Sequence, residues 1–204
     1  MEHNLDLRPQ DMSKLKEALL RSVHRVNNLK SLEKQVEMTL TPEGLRIELM
    51  ETKDGTFFET GSSQPTPALT TILTVLSKQL GELKNPVSIE GHTDSQPYLK
   101  TAVYSNWELS TDRANVARRL MQANGLGPTQ VAQVRGFADQ RLRKPNNPKD
   151  PSNRRISLVV GYPEAAGTEQ ATSAIARAPK DGKVEAPAAS SGAPAGKQVP
   201  PAKG

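Results

Sequence analysis

The sequence predicts an α+β fold in which amphipathic helices pack on one face of a single mixed sheet. Short apolar or alternating runs indicate strands, and between them lie longer segments with apolar residues every three or four positions, which indicate helices. These elements follow one another in the order β-α-β-α-β-β, typical of a helix layer on a sheet. The predicted domain spans residues 41–162, after an N-terminal helix within residues 1–40 and before a tail over 163–204.

Residues 11–38 are predicted to form one amphipathic helix. Its apolar residues recur at spacings of three, four or seven: Leu15, Leu19, Val26, Leu29, Leu32 and Val36. An apolar stripe of this kind packs against another surface. That surface belongs either to the helix's own domain or to a second copy, in which case the helix is a linker or dimer helix. Both interpretations stay open at this stage.

The core domain is predicted to begin with the strand LRIELM, in which Leu45, Ile47 and Leu49 alternate on one face. A helix then starts near Pro67, because proline is favoured in the first helical turn. Its apolar residues keep helical spacing: Leu69, Ile72, Leu73, Leu76, Leu80 and Leu83. The Asn-Pro pair that ends at Pro86 closes this helix.

The second half of the domain repeats this alternation. A strand marked by Val87 and Ile89 ends in a Gly-His-Thr-Asp run at Asp94. The next helix begins with a capping box, in which the side chains of Ser105 and Glu108 accept each other's backbone N–H groups. Two further strands follow, VAQVRGFA and RRISLVV, with a long polar loop between them.

The tail over residues 163–204 is rich in Ala, Pro, Gly, Ser and Lys. Because it has few large apolar residues, it cannot bury enough surface to offset the entropy lost on ordering. We therefore predict that it is disordered.

The composition excludes several classes of function. The net charge is +5, but the basic residues are scattered and do not alternate with aromatic residues, so nucleic-acid binding is not predicted. The chain has no cysteine, which excludes thiolate metal sites and cysteine nucleophiles. His3, His24 and His92 lack the spacing of metal ligands, so neither a metal nor a cofactor is predicted.

A hydrolase is the main alternative among enzymes. Ser88, His92 and Asp94 lie close together in sequence, but side chains two residues apart on a strand point the same way and rarely form a relay. No G-x-S-x-G motif is present. We predict that His92 is a hydrogen-bonded residue at the end of its strand and that the protein is not an enzyme.

Asp94 and Arg113 are the centre of the predicted binding site. Asp94 follows a strand, and Arg113 lies about two turns into the next helix. A strand–loop–helix crossover brings such groups together near the carboxyl end of the strand, where opposite charges hold a zwitterion. In the competing, purely structural interpretation, Asp94 caps a turn and Arg113 pairs with Glu108 on its own helix.

Four neighbouring side chains complete the predicted site. Asn106 and Leu109 share a helical face with Arg113, because residues three and four positions apart lie on one side. Thr93 adds a hydroxyl group next to the aspartate. Arg154 adds a further donor if its strand lies beside the strand that leads to the site.

The same residues resemble the signature of OmpA-like peptidoglycan-binding domains. In that family, the aspartate of a Thr-Asp pair and the arginine of an LSxxRA element hold the diaminopimelate residue of the peptidoglycan stem peptide. Asp94 and Arg113 match these positions, and Asn106 and the Asn-Arg-Arg run at 153–155 match further elements. TPEGLRIEL, FFETGS and VRGFA extend the resemblance, which covers about residues 41–160.

Within that family, the SNWELSTDRAN run around Trp107 and the long loop before it resemble MotB-type proteins of flagellar stators. The resemblance implies a non-catalytic domain that binds peptidoglycan and anchors the stator to the cell wall. It also implies a homodimer in the periplasm, tethered to the inner membrane, with a MotA-type subunit as partner. Because no apolar run here reaches about 20 residues, we expect the membrane segment to be missing. Another cell-wall anchor or periplasmic scaffold is the alternative.

Overall fold

Three α-helices and five strands make up the part of the chain that the computed structural model describes, residues 7–25, 34–97 and 104–163. Short 3-10 turns precede the first helix and the last strand. In chain order the elements are α1 (Met12–His24), β1 (Val36–Thr41), β2 (Gly44–Met50), α2 (Pro67–Leu80), β3 (Val87–His92), α3 (Asn106–Ala123), β4 (Val131–Gly136) and β5 (Arg155–Gly161).

The five strands form one mixed sheet in the order β1-β2-β5-β3-β4. Only β3 and β4 are parallel; every other neighbouring pair is antiparallel. The last strand thus lies in the middle, between β2 and β3. The predicted α+β class, with helices on one mixed sheet, is confirmed.

Alternation along the strands separates the core from the opposite face of the sheet. Along β2, Leu45, Ile47 and Leu49 are fully buried in the core, whereas Arg46 and Glu48 between them are partly exposed. The apolar residues of the helices join the same cluster as those of the sheet. Each fully buried Leu or Ile contributes about 1.5–3 kcal/mol relative to exposure, so this layer supplies most of the stabilisation.

The predicted helix over 11–38 is wrong in its C-terminal part. Helix α1 ends at His24, and Val36–Thr41 forms the edge strand β1, antiparallel to β2. In this segment polar and apolar residues alternate, and Met38 lies opposite Ile47 in the ladder. Strand pairing therefore outweighs the helical spacing of Val36. The other residues of the predicted stripe, Val26, Leu29 and Leu32, lie outside the described residues.

Helix α1 packs on the core of its own domain. Four of its residues are buried in the common apolar cluster: Met12, Leu15, Leu19 and Val23. A hydrogen bond from Gln79 Nε2 to Ser22 Oγ also joins α2 to α1. Of the two interpretations of the stripe, packing on the same domain describes this N-terminal half.

Helix α3 lies unusually close to β3 at Gly91. A Cβ atom at this position would lie 2.0 Å from the carbonyl oxygen of Ser110, so no other residue fits without moving the helix. The predicted capping box is present, with Ser105 N donating to Glu108 Oε2 at 2.7 Å. These features fix the first two turns of α3 above the carboxyl end of β3.

None of the helices in the described ranges is long and apolar enough to cross a membrane. The disorder predicted for residues 163–204 falls, from residue 164 on, outside the described residues.

Candidate ligand-binding site

A cavity of about 380 Å³ opens at the carboxyl end of β3. Helix α3 forms one wall, and the segment between β2 and α2 forms another. All six predicted site residues line it: Thr93, Asp94, Asn106, Leu109, Arg113 and Arg154. The structure therefore brings together side chains from three separate parts of the chain.

Asp94 is buried and held in place by two donors. Its Oδ2 accepts a hydrogen bond from Arg154 Nη1 at 2.6 Å, and its Oδ1 accepts one from Gln96 N at 3.2 Å. The second contact is the turn cap of the structural interpretation, and it coexists with the ion pair. Arg154 reaches Asp94 because β5 pairs with β3, the arrangement on which its predicted role depended.

Arg113 is 4% exposed, and contacts with neighbouring residues hold its guanidinium group in place. Its Nε donates to Ser62 O at 2.9 Å, and its guanidinium carbon lies 4.8 Å from the centre of the Phe58 ring. Within the described residues its two Nη atoms have no hydrogen-bond partner. Burial lowers the pKa of Arg113 while nearby carboxylates oppose that shift, and an arginine remains charged throughout.

The pairing of Arg113 with Glu108, which the purely structural interpretation required, is not present among the described contacts. Glu108 accepts from the backbone and hydroxyl of Ser105, each at 2.7 Å, and these bonds lower the pKa of its carboxyl group. It therefore serves the capping box, on the solvent side of the helix.

Glu51 is a second buried carboxylate at the cavity. Its Oε2 accepts from Arg154 Nε at 2.6 Å, and its Oε1 accepts from the backbone N–H groups of Phe57 and Phe58 at 3.1 and 3.2 Å. Burial disfavours the charge on Arg154, but hydrogen bonds to Glu51 and Asp94 outweigh it and raise the pKa of the guanidinium.

Asn106, Leu109 and Thr93 complete the lining. Asn106 Nδ2 donates to Gln96 O at 2.9 Å and to Asp94 O at 3.4 Å, which ties the start of α3 to the loop after β3. Leu109 supplies an apolar wall. Thr93 Oγ1 is buried and has no hydrogen-bond partner among the described residues. A buried hydroxyl without a partner is unfavourable, so this atom is available to a ligand or a water molecule.

Sequence reasoning missed three residues that shape the site: Glu51, Phe58 and Ser62. Glu51 follows a strand directly, the same pattern that indicated Asp94, so that signal was present. Phe58 and Ser62 lie in the FFETGS run, which contributed to the family resemblance but was given no role in the site.

His92 ends β3, as predicted, but its side chain is buried without a hydrogen bond, so the predicted hydrogen bond is wrong. Neither ring nitrogen has a hydrogen-bond partner in the described part of the chain, and Nε2 lies 3.8 Å from Glu90 Oε2. Glu90 instead accepts from Arg46 at 2.8 Å. The imidazole stacks on Phe137, with ring centres 5.2 Å apart. Burial lowers the pKa of His92, so its ring is neutral near pH 7.

The described residues contain no group of three or more His, Cys, Asp or Glu side chains placed to hold a metal ion. The polar groups on the cavity lining include two carboxylates, two guanidinium groups and the Thr93 hydroxyl.

Two proteins of Escherichia coli (strain K12) are similar to this chain. Motility protein B is 39% identical over 133 residues, which cover 65% of this chain and 43% of that protein. A protein named as a truncated flagellar export/assembly protein, LafU, is 36% identical over 150 residues, which cover 74% of this chain and 71% of that protein. The chain thus spans less than half the length of Motility protein B.

Among solved structures, a MotB-like protein from Desulfovibrio vulgaris superposes with a TM-score of 0.64 over 76% of this chain and 96% of the other. At 17% identity, this likeness shows a shared fold. Residues 57–157, which include most of the cavity lining, match the OmpA family. Together with the 36% identity to a relative of which 71% is covered, this match shows that the chain belongs to the OmpA family.

Proposed function

We propose that this domain binds peptidoglycan without catalysis and holds the diaminopimelate residue of the stem peptide in the cavity. The observation that carries the proposal is the presence of Asp94 and Arg113, which have opposite charges, on the lining of one cavity of about 380 Å³. The side-chain end of diaminopimelate has an ammonium and a carboxylate on one carbon. Its charges complement this pair.

Arg113 is the proposed partner of the ligand carboxylate. Its guanidinium group is already positioned by Ser62 and Phe58, and both Nη atoms lack partners within the described residues. A guanidinium donates two parallel hydrogen bonds to a carboxylate, which a lysine ammonium does not. A stem peptide with lysine in place of diaminopimelate lacks this carboxylate, so we expect it to bind more weakly.

Asp94 is the proposed partner of the ligand ammonium. A carboxylate has about four acceptor positions, and Arg154 and Gln96 N use only part of this capacity. Thr93 Oγ1, which lies beside Asp94 without a partner among the described residues, supplies a further acceptor.

The affinity expected of such a site is modest. Hydrogen bonds to charged groups are worth about 1.5–3 kcal/mol each. Two such contacts and their neutral neighbours correspond to dissociation constants in roughly the micromolar to millimolar range. Modest affinity suits a repetitive polymer, because many copies of the domain contact it at the same time.

We also propose that the complete protein anchors a flagellar motor stator to the cell wall. The similarity to Motility protein B over 133 residues supports this role. In this proposal the domain lies in the periplasm, is tethered to the inner membrane by a segment outside this sequence, acts as a homodimer and works with a MotA-type subunit. A cell-wall anchor or periplasmic scaffold outside the flagellar motor is the alternative.

Sedimentation with purified diaminopimelate-type sacculi tests the binding proposal. Arg113→Ala and Asp94→Ala should each abolish co-sedimentation, whereas the matched exposed controls Arg119→Ala and Asp54→Ala should bind like the unchanged protein. Free diaminopimelate should compete with the sacculi, and no soluble muropeptides should be released. Full binding by both cavity variants, or muropeptide release, would contradict the proposal.

The role in the motor needs a separate experiment in cells. With Arg113→Ala in the complete protein, swimming should be lost while flagella are still assembled. Normal swimming by that strain, combined with lost wall binding, would favour an anchor outside the motor.

A further inference from the structure

We infer that Glu51 is a positioning residue that sets the charge of the cavity and so its preference for a ligand that carries an ammonium group. The inference rests on the proposed function. It follows from two chains of contacts that start at the two oxygens of this carboxylate and end at the two charges of the site.

The first chain of contacts leads from Glu51 to Asp94. Glu51 Oε2 accepts from Arg154 Nε at 2.6 Å, and Arg154 Nη1 donates to Asp94 Oδ2 at 2.6 Å. One guanidinium group is thus shared between two carboxylates. Glu51 and Asp94 are both almost completely buried, with side chains 5% and 7% exposed, so solvent screens these contacts little.

The second chain of contacts leads from Glu51 to Arg113. Glu51 Oε1 accepts from the N–H groups of Phe57 and Phe58 and so fixes the backbone of this segment. The Phe58 ring lies against the guanidinium of Arg113 at 4.8 Å. Glu51 therefore positions the partner of the ligand carboxylate as well as the partner of the ammonium.

The charges explain why a carboxylate is needed here. Four ionised groups line the cavity, two acids (Glu51 and Asp94) and two bases (Arg113 and Arg154). Because Glu51 neutralises Arg154, Asp94 keeps negative charge for the ligand. If Glu51 were neutral, Arg154 would pair with Asp94 alone and the four groups would carry a net charge of +1. An ammonium would then be repelled, while a carboxylate would still be attracted.

Two stem tripeptides test the inference by calorimetry. One ends in meso-diaminopimelate, and the other ends in 2-aminopimelate, which keeps the distal carboxylate but lacks the ammonium beside it. The unchanged domain should prefer the first peptide. In Glu51→Gln this preference should fall about tenfold, a factor equivalent to 1.4 kcal/mol, with the affinity for the second peptide unchanged or increased. Glu59→Gln, an exposed change in the same segment, should keep the full preference.

A double variant separates charge from packing. Glu51→Gln combined with Arg154→Met removes one negative and one positive charge, so Asp94 and Arg113 again sum to zero and the preference for the ammonium should return. A purely structural role predicts that the double variant discriminates no better than the single one. The double variant also supplies the test if Glu51→Gln alone does not fold, because its four cavity positions keep the net charge of zero that the unchanged domain has.

Three results are distinguishable. If Glu51→Gln keeps the preference of the unchanged domain, or if the double variant does not recover it, the inference is wrong and the proposed function stands. If the unchanged domain binds neither tripeptide, the proposed function itself is wrong.

Discussion

Arg154 Nη1 and Asp94 Oδ2 lie 2.6 Å apart, although 60 positions separate the two residues in the sequence. The contact exists because β5 lies between β2 and β3 in the sheet. Arg154 immediately precedes β5 and therefore faces Asp94, which lies two positions after the end of β3. Arg154 also donates to Glu51 at the end of β2. One side chain thus joins three segments at the floor of the cavity.

Removal of Arg154 should destabilise the domain as well as the site. In Arg154→Ala, two buried carboxylates, Glu51 and Asp94, lose their shared counterion. Loss of one partner from a buried pair costs about 3–5 kcal/mol, and the 26% exposure of the Arg154 side chain reduces the expected loss to about 2–3 kcal/mol. Urea denaturation at pH 7 measures this loss in the free energy of unfolding. The exposed control Arg119→Ala should change the free energy of unfolding by less than about 0.5 kcal/mol; an equal value for both variants would contradict the role of Arg154.

Most of the site was predictable because it depends on local topology. Asp94 and Arg113 belong to one strand–loop–helix unit, and the capping box fixes where α3 begins. Spacing therefore indicated that the two side chains could lie near each other, but it left the purely structural interpretation open, and the family resemblance favoured the binding site. The position of Glu51 directly after a strand was a local signal, but its role depends on β2 lying next to β5, a long-range pairing that this signal does not indicate.

The error at the N-terminus has a similar cause. Val36 continues the seven-residue spacing of the preceding apolar residues and also begins an alternating run. The local sequence pattern therefore fits both a helix and a strand. Pairing with β2 decides in favour of the strand, because the sheet supplies backbone hydrogen bonds and places Met38 in the core. Such tertiary effects override propensity in short segments.

Gly91→Ala should displace α3 from the sheet. The new Cβ would lie 2.0 Å from the backbone oxygen of Ser110, which cannot rotate away. Overpacking of this kind costs about 1–3 kcal/mol or more, and a shift of α3 would also move Arg113 and weaken wall binding. Thermal unfolding and sedimentation with sacculi measure the two effects.

Gly161→Ala is the matched control for this prediction. Its nearest new neighbour would be the ring carbon Cγ of Pro86 at 3.3 Å, so only a small adjustment is needed. If Gly91→Ala were as stable as Gly161→Ala and bound sacculi equally well, the close approach of α3 to β3 would not be required.

Acid should destabilise the domain through His92. Burial, and after it the neighbouring Arg155, lower the pKa of His92 below its ordinary value of 6.5, whereas Glu90 and Glu48 act in the opposite direction. The unfolded chain therefore binds a proton before the folded domain does. Stability is complete above pH 6.5 and falls as the pH decreases below it, by at most about 1.4 kcal/mol per pH unit, until the folded-state pKa is passed.

His92→Phe should remove this dependence, and His24→Phe, a change at an exposed position, should not. Urea denaturation at pH 7.5 and pH 5.5 compares the variants. The titration of Glu90 does not affect this comparison between pH 7.5 and pH 5.5. Burial acts to raise the pKa of Glu90, but contacts with His92 and Arg46 outweigh it and lower the pKa from 4.5 to about 2. Its contribution is lost only as the pH falls below 4.5. An equal loss of stability in His92→Phe and the unchanged domain would contradict the assignment.

Leu19→Ala tests whether α1 is an integral part of the fold. The Leu19 side chain is fully buried in the apolar cluster shared by α2 and the sheet, so its truncation leaves a cavity. Such changes cost about 2–5 kcal/mol, whereas Glu17→Ala on the exposed face removes only a surface pair with Arg21 worth about 0.3–0.5 kcal/mol. Urea denaturation gives both values. If α1 packs as described, the loss in free energy of unfolding is several-fold larger for Leu19→Ala than for Glu17→Ala. A loss below about 0.5 kcal/mol for Leu19→Ala would mean that in solution α1 does not pack on the core.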